Sequence, residues 1–263
     1  PPRHINLLPP WPDLVIAAGR RPAPVARKIK KGRGGVTRLV QIMYPGHTGA
    51  DEFDLIAVPR HDGIAPATNV FEITGAPHRV NGNKLAEAAQ EWKARFAELP
   101  KPRIALIVGG SSRRRTFTNE MATELGRKAA KMAADSGGSL LVTTSRRTGE
   151  AEADLLAEIN EPSFVFRWGD EGENPYFGML ALADSVIVTG DSVSMVSEAC
   201  ATPAPVYIFG PKELTPRKHA RLHRVLFEQG FARPLGDTFA EWIHDPLNAA
   251  GDIAEEIRRR FGI

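Results

Sequence analysis

The sequence predicts an α/β protein of two domains, each built on a parallel sheet, that face each other across a cleft. Short apolar runs rich in valine and isoleucine alternate with longer segments of helical periodicity, and this alternation is typical of parallel βαβ units. Most of the runs are apolar throughout, as expected of strands that are buried on both faces. A chain of 263 residues is also long enough for two domains.

The periodicity predicts each element in order along the chain. The strands are expected at residues 13–18, 38–43, 54–58, 69–74, 103–108, 139–144, 163–167, 185–189 and 205–209. The helices are expected at residues 22–31, 84–99, 119–136, 150–158, 176–183, 194–201, 216–229 and 246–260. The best domain break is Leu99-Pro100-Lys101-Pro102, because two prolines end a helix and stiffen the connection. We therefore expect a short and incomplete first domain over residues 1–100 and a second over 101–263, whose last helix could pack back on the first.

Composition excludes several classes of protein. Hydrophobic residues make up 42% and charged residues 25% of the chain, as in ordinary globular proteins and unlike disordered ones. No apolar run approaches the roughly 20 residues that a membrane-crossing helix needs. The single cysteine, Cys200, fits a reducing compartment, so we expect a cytoplasmic protein, with peripheral contact at the inner face of a membrane as an option. A formal charge of +3 suits an anionic small molecule or an acidic membrane surface and is too weak to argue for nucleic acid.

The first candidate for ligand binding follows the strand at 103–108. It reads Gly109-Gly110-Ser111-Ser112-Arg113-Arg114-Arg115 and leads into a helix near Asn119. Glycine turns can direct backbone amides at an anion, a helix N-terminus adds positive charge, and arginine can grip phosphate with two hydrogen bonds. Phosphate binding is therefore favoured over the alternative, a plain turn with solvated arginines.

The second candidate joins the strand at 185–189 to the helix at 194–201, and either Ser192 or Ser194 can cap that helix. Ser194, Ser197 and Glu198 share one helix face, which could offer hydroxyls to a diphosphate and a carboxylate to a ribose diol. The competing interpretation is a capping box in which Glu198 offsets the helix dipole. The residues alone do not decide between the two.

Two more loops end strands of the second domain, Thr143-Thr144-Ser145-Arg146-Arg147-Thr148-Gly149 and the acidic loop from Trp168 to Tyr176. All four loops lie at the carboxyl ends of predicted strands, and open α/β sheets bind ligands at that edge. In the first domain, Gly19-Arg20-Arg21 and the loop containing His78 would face the cleft. His78 could accept a proton from an acceptor hydroxyl, or it could be an ordinary loop histidine.

Several other chemistries lack support. No G-x-G-x-x-G follows a strand, which argues against a nicotinamide-dependent enzyme, and no G-x-S-x-G indicates a serine hydrolase. Asp170, Glu171 and Glu173 are better explained as an acidic surface loop than as a cation site, and the seven histidines lack zinc-site spacing. His219 and His223 lie on a basic helix whose face is either solvated or rests on acidic lipid headgroups.

Five stretches of the sequence together resemble a family of bacterial and plant proteins whose plant member is named for elongated mitochondria and acts in mitochondrial fission. They are PDLVIAAGRR at 12–21, GAPHRV at 75–80, LVTTSRRTG at 141–149, ENPYFG at 173–178 and TGDSVSMVSEA at 189–199. The resemblance covers nearly the whole chain. More distantly, the second domain is similar to glycosyltransferases of the B-type architecture, which have two Rossmann-like domains and include the enzyme that adds N-acetylglucosamine to a peptidoglycan lipid precursor.

The resemblance implies a role for each loop. The glycine turn and the segment from Ser192 to Met195 would contact the diphosphate, Glu198 the ribose, and Asn174 and Tyr176 the base or sugar. The predicted nucleotide-sugar site comprises Gly109, Gly110, Ser111, Ser112, Arg113, Thr144, Ser145, Arg146, Asn174, Tyr176, Ser192, Ser194, Met195 and Glu198. His78 and Asp191 are the candidate catalytic bases, and Gly19, Arg20 and Arg21 lie on the acceptor side.

The resemblance thus implies a metal-independent, glycosyltransferase-like protein that binds a nucleoside-diphosphate sugar in the cleft and transfers the glycosyl group to an unknown acceptor. Arginines and loop dipoles would stabilise the departing nucleoside diphosphate, so no metal or other cofactor is expected. The alternative is a non-catalytic docking module for membrane-associated, fission-type partners, since fold does not dictate function. A nucleotide-sugar epimerase ranks third, because it would need a nicotinamide whose fingerprint is missing.

Overall fold

The computed structural model describes residues 7–236 and 239–263, which form ten strands and eight α-helices. All nine predicted strands and all eight predicted helices are present, and β10 (Arg233–Pro234) is additional. The largest difference is at the helix predicted over 84–99, which ends at Trp92 and continues in turns closed mostly by i→i+3 bonds. Contacts divide the chain into two compact units, one holding the chain up to Ile73 together with Gly251–Ile263 and the other holding Thr74–Ala250.

The first unit is a parallel sheet of four strands in the order β1-β2-β3-β4. Its elements are β1 (Leu14–Ala18), α1 (Ala23–Gly32), β2 (Arg38–Ile42), β3 (Leu55–Pro59), β4 (Val70–Ile73) and most of α8 (Ala249–Phe261). Every residue of β3 is buried. The end of α8 is held by Arg260, whose Nη1 donates to the Thr68 carbonyl oxygen at 2.9 Å, and by the Arg38 guanidinium, which lies 5.6 Å from the centre of the Phe261 ring.

The second unit is a parallel sheet of six strands in the order β10-β9-β8-β5-β6-β7. Its elements before β10 are α2 (Gly82–Trp92), β5 (Arg103–Ile107), α3 (Asn119–Ser136), β6 (Ser139–Thr143), α4 (Glu152–Ala157), β7 (Ser163–Phe166), α5 (Tyr176–Leu182), β8 (Ser185–Thr189), α6 (Val193–Ala199), β9 (Val206–Phe209) and α7 (Arg217–Glu228). From β5 the chain builds outward through β6 and β7, and it then returns to build the other side through β8. Strand order therefore reverses between β5 and β8, and we call the gap between their carboxyl ends the switch point, the usual place for a ligand in open α/β sheets.

The core of the second unit follows from the two-residue period of its strands. Leu106 faces one layer, which includes Met132 of α3, whereas Ile107 faces the opposite layer, which includes Leu226 of α7. All five residues of β6 and of β8 are buried, because helices cover both faces of the sheet. This double burial accounts for the uninterrupted apolar runs in the sequence.

Helix α2 belongs to the second unit, although the sequence analysis places it in a first domain that ends at residue 100. It packs on α5 at Gly178, where an added Cβ would lie 2.3 Å from Trp92 Cγ. The proline junction is also part of this unit, because the carbonyl oxygens of Pro100 and Pro102 accept hydrogen bonds from Ser139 Oγ at 2.6 Å and Ser139 N at 3.0 Å. The prolines thus shape a turn beside β6, and the boundary drawn by the contacts lies earlier in the chain.

Substitution of Gly178 by alanine tests the packing of α2 on α5. We expect Gly178→Ala to destabilise the protein by about 1–3 kcal/mol, because the new methyl group overlaps Trp92. Gly82→Ala is the matched control: it also lies in a helix, nothing is within 4 Å of its Cβ, and replacing a helical glycine should stabilise by up to about 1 kcal/mol. Urea unfolding followed by circular dichroism measures both, and equal stability of the two variants would contradict this packing.

Candidate functional site

The loops that follow β5, β6 and β8 are joined by hydrogen bonds into one surface at the carboxyl edge of the sheet. The Gly109 N–H donates to Thr189 Oγ1 at 2.7 Å. Ser145 Oγ donates to the Gly109 carbonyl oxygen at 2.8 Å, and the Ser111 N–H donates to the Arg147 carbonyl oxygen at 2.8 Å. The central position in this surface, Gly110, has a φ of +142°, and a Cβ there would lie 2.1 Å from that Arg147 oxygen. Only glycine fits such an approach.

A buried carboxylate, that of Asp191, occupies the glycine turn. Its Oδ2 accepts a hydrogen bond from the Gly110 N–H at 3.1 Å, and its Oδ1 lies so near Gly109 that a Cβ there would be 2.5 Å away. The side chain is only 2% exposed. The two glycine amides, which the sequence analysis offers to a diphosphate, are therefore bonded to Thr189 and Asp191 instead.

Arg147 neutralises this carboxylate. Its Nη1 lies 2.5 Å from Asp191 Oδ2 and donates to the Gly110 carbonyl oxygen at 3.3 Å, while 31% of the side chain stays exposed. The arginine predicted from the sequence is the neighbouring Arg146, which is exposed and makes no hydrogen bond or ion pair within the residues described. Successive side chains leave the loop in different directions, so only Arg147 reaches the carboxylate.

The remainder of the loop after β5 is held mainly by its own contacts. Ser111 Oγ accepts from the Phe117 N–H at 2.9 Å, and the Ser112 N–H donates to the Arg115 carbonyl oxygen at 2.8 Å. Arg115 itself is bound to the loop before α7 through the Lys212 carbonyl oxygen at 2.7 Å. The side chains of Ser112 and Arg113 remain exposed, as does that of the neighbouring Arg114, so a ligand can reach them.

Thr144 connects the loops after β6 and β7. Its buried hydroxyl donates to the Glu152 carboxylate and accepts from the Trp168 N–H at 2.9 Å. Both hydrogen-bonding directions of the hydroxyl are therefore used inside the protein, and Thr144 supports the loop.

The start of α6 resolves which serine caps it. Ser192 Oγ accepts from the Met195 N–H at 3.4 Å, whereas Ser194 is exposed. Ser197 is buried: its Oγ donates to the Val193 carbonyl oxygen at 2.7 Å and accepts from the Ala76 N–H at 3.0 Å. This last bond joins the loop after β4 to α6.

The loop after β4, which the Ala76–Ser197 hydrogen bond joins to α6, also contains His78. Its Nδ1 lies 3.2 Å from the Val80 carbonyl oxygen, and its Nε2 is buried with no hydrogen-bond partner among the residues described. The carbonyl oxygen can only accept, so in the neutral ring Nδ1 carries the proton and Nε2 is the basic nitrogen.

Glu198 is bonded to the Tyr176 hydroxyl, which donates to Oε2 at 2.6 Å. Burial, together with the negative charge of Glu198, raises the pKa of Tyr176 well above its ordinary value, so the phenol stays protonated. Asn174 Oδ1 accepts from the Tyr176 N–H at 3.0 Å and fixes the start of α5, with its side chain exposed. Glu198 thus links α6 to α5 through a side chain, which is a different arrangement from a capping box.

The residues predicted for the acceptor side belong to the first unit. Gly19 follows β1 with a φ of +82°, and its N–H donates to the Ile42 carbonyl oxygen at 2.9 Å. Arg20 and Arg21 are exposed at the start of α1. Gly19 therefore serves the turn, and two cations stand beside it.

His219 also belongs to this site, although its sequence context predicts only a basic helix face for it. It lies in the first turn of α7, is hydrogen-bonded to the Gly190 backbone and is within electrostatic range of Asp191 and Arg147. Burial lowers the pKa of His219, the Gly190 bond and Asp191 oppose this effect, and the positive charges of Lys218 and Arg147 add to it. The signal in the sequence that could have drawn attention to His219 is its spacing of four residues from His223, which places the two histidines on one helix face.

Two other features follow from the described part of the chain. Residues 7–236 and 239–263 contain no group of three His, Cys, Asp or Glu side chains placed to hold a metal ion. Nor does any helix within those ranges combine the length and apolar character that crossing a bilayer requires.

Comparison with solved structures identifies the fold as that of B-type glycosyltransferases and related epimerases. The UDP-GlcNAc 2-epimerase of Methanocaldococcus jannaschii aligns with a TM-score of 0.57 at 12% identity, covering 94% of this chain and 77% of that one. MurG of Acinetobacter baumannii aligns with a TM-score of 0.50 at 14% identity, covering 94% of this chain and 74% of that one. At such identities the likeness shows architecture alone, so it does not separate the epimerase class, ranked third above, from the transferase class.

The chain belongs to the mitochondrial fission ELM1 family, whose model matches residues 2–261. The mitochondrial fission protein ELM1 of Arabidopsis thaliana is 29% identical over 275 residues. That alignment covers 95% of this chain, which spans 64% of the length of the plant protein. The family resemblance expected from the sequence motifs is thereby confirmed.

The half-buried His219 predicts a pH dependence of stability. Its pKa is lowered in the folded state, so below its unfolded value of about 6.5 the unfolded chain takes up a proton that the folded chain resists. Stability should therefore fall as the pH drops from 7 to 5.5, and His219→Gln should lose less than the wild type over that interval. Thermal unfolding at several pH values measures this, with pH 8 as the reference at which the histidine is neutral in both states. An equal loss in both proteins would contradict the assignment.

Proposed function

We propose that the second unit binds a nucleoside-diphosphate sugar at its switch point and that the protein is a glycosyltransferase-like enzyme. The observation that carries this proposal is the composition of that edge: a glycine turn, an arginine held by a buried carboxylate, and the α6 segment ending in Glu198. A second structure of the Methanocaldococcus jannaschii epimerase, which aligns with this chain at a TM-score of 0.53, contains UDP-GlcNAc and UDP. Its ligands support a nucleotide sugar as the class to test here.

Glu198 is the proposed partner of the ribose. Tyr176 occupies Oε2, whereas Oε1 makes no hydrogen bond among the residues described. A carboxylate oriented by a buried hydroxyl and with one oxygen available is suited to accept hydrogen bonds from a diol. Asn174 is proposed to lie near the base or sugar and Met195 near the phosphates, as the resemblance to B-type glycosyltransferases implies.

Side chains rather than glycine amides are proposed to bind the diphosphate. Ser112, Arg113, Arg146 and Ser194 are exposed at this edge and supply hydroxyl and guanidinium donors. Cations placed at a departing nucleoside diphosphate would stabilise the charge that develops on it during transfer. In this scheme no metal is assigned a role.

His78 is the better of the two candidate bases. Its Nε2 has no partner in the described part of the chain and can accept a proton, whereas Asp191 already binds Gly110 and Arg147. The acceptor that would lose this proton, and the role of Arg20 and Arg21 in holding it, are expectations that come from the family resemblance.

A non-catalytic docking module is the second candidate, and one observation favours it. The amides of Gly109 and Gly110 are already satisfied by Thr189 and Asp191, so the turn is complete without a ligand. The name of the Arabidopsis relative points to fission partners, and the basic residues of α7 would suit peripheral contact with an acidic membrane.

Calorimetric titration with UDP, GDP, ADP and TDP and with their common sugar derivatives tests the proposed function. We expect the nucleotides of one of these four nucleosides to bind with a dissociation constant between about 1 μM and 1 mM, the range usual for enzyme substrates. Titration with the corresponding nucleosides is the control for binding through the base alone. Absence of binding by the whole panel at millimolar concentration would contradict the proposal and favour the docking module.

Glu198 can be tested with two variants that separate binding from folding. Glu198→Gln keeps an acceptor for the Tyr176 hydroxyl but removes the charge, so we expect near wild-type stability and nucleotide affinity weaker by about 1–3 kcal/mol. Glu198→Ala should lose affinity and also stability, by about 1–3 kcal/mol, because a buried hydroxyl is left unpaired. Calorimetry and thermal unfolding measure the two effects. If Glu198→Gln binds nucleotide like the wild type, Glu198 has only a structural role.

A further inference from the structure

We infer that Arg147 is the residue at the switch point that binds an oxyanion, namely a phosphate or pyrophosphate group, and that Asp191 is a positioning residue which holds it in place. This inference rests on the proposed function and assigns its phosphate contact to a specific side chain. It also gives Asp191 a role other than that of a catalytic base.

Arg147 is anchored through one nitrogen only. Nη1 contacts Asp191 Oδ2 at 2.5 Å and the Gly110 carbonyl oxygen at 3.3 Å. Nη2 and Nε make no hydrogen bond with any residue in 7–236 or 239–263, and 31% of the side chain is exposed. A guanidinium binds phosphate through two parallel N–H groups. Anchoring at Nη1 therefore leaves Arg147 with donors for an oxyanion.

Asp191 is too buried to meet a ligand itself. Only 2% of its side chain is exposed. Oδ2 accepts a hydrogen bond from the Gly110 N–H and forms the ion pair with Arg147, while Oδ1 is buried and has no partner in the described part of the chain. A carboxylate in this position is stable only if a cation stays beside it. The same requirement fixes the guanidinium, and a donor that is already fixed loses little conformational freedom when a ligand binds.

Arg146 is a weaker candidate for this contact than Arg147. It is exposed and has no anchor among the residues described, so a phosphate would have to immobilise it on binding.

The test compares Arg147→Lys with the same substitution at Arg127, an exposed residue of α3 outside the proposed site. Lysine at 147 keeps the positive charge on Asp191 but has a single nitrogen, so we expect affinity for inorganic pyrophosphate and for UDP to fall by about tenfold or more, with uridine binding unchanged. Arg127→Lys should change all three affinities by less than about twofold. Calorimetry measures binding, and thermal unfolding confirms that each variant is folded.

Asp191→Asn tests the positioning role. The amide oxygen can still accept from Gly110, but the guanidinium loses its ionic anchor, so pyrophosphate and UDP should bind more weakly than to the wild type. Tighter binding would show that Asp191 competes with the oxyanion, which would overturn the role assigned to it. If Arg147→Lys does not fold, the double variant Arg147→Gln/Asp191→Asn removes both charges together and should fold without binding pyrophosphate.

The outcomes separate this inference from the proposed function. Pyrophosphate binding that depends on Arg147, without binding of any nucleotide in the panel, would support the oxyanion site and contradict nucleotide-sugar binding. UDP or another nucleotide that binds Arg147→Lys as tightly as the wild type would support the proposed function and overturn the role of Arg147. If neither pyrophosphate nor any nucleotide binds the wild type, both are wrong.

Discussion

The carboxylate of Asp191 is the contact on which the carboxyl edge of the second unit depends. A carboxylate that is almost fully removed from water is strongly destabilising unless a cation and hydrogen-bond donors surround it. Here the donor comes from the loop after β5, as the Gly110 amide, and the cation comes from the loop after β6, as Arg147. One side chain from the loop after β8 therefore fixes the relative positions of all three loops. The space for it exists only because position 109 has no Cβ.

The glycine turn shows which part of the site the sequence predicts and which part it does not. Two glycines after a buried strand predict backbone amides that face an anion, and the Gly110 amide does face one. The anion, however, is a side chain 81 residues further along the chain. Local patterns describe which chemistry a turn can perform, whereas the partner is set by strand order, and β8 lies beside β5 only in the folded sheet. For the same reason the sequence could not distinguish Arg146 from Arg147.

The elements themselves were predictable because their signals are local. Uninterrupted apolar runs marked β6 and β8, which are buried on both faces, and the bounds of α3 agree with the sequence at both ends. The division into units was not predictable in this way. A pair of prolines is a strong local signal for a turn, but α2 lies in the second unit and packs there on α5, where Trp92 meets Gly178, a residue distant from it in the sequence.

The segment between Asp191 and Glu198 carries two acidic residues whose surroundings give them different chemistry. Asp191 is bonded to a cation and an amide and is closed off from solvent, so its charge is balanced inside the protein. Glu198 is bonded to a neutral hydroxyl, which orients the carboxylate without neutralising it. Two carboxylates on one segment would ordinarily repel a phosphate. Because Arg147 cancels the first, the negative charge that remains lies beyond the capped start of α6. The binding that we propose would therefore place an anion and a diol at separate points of the same loop and helix.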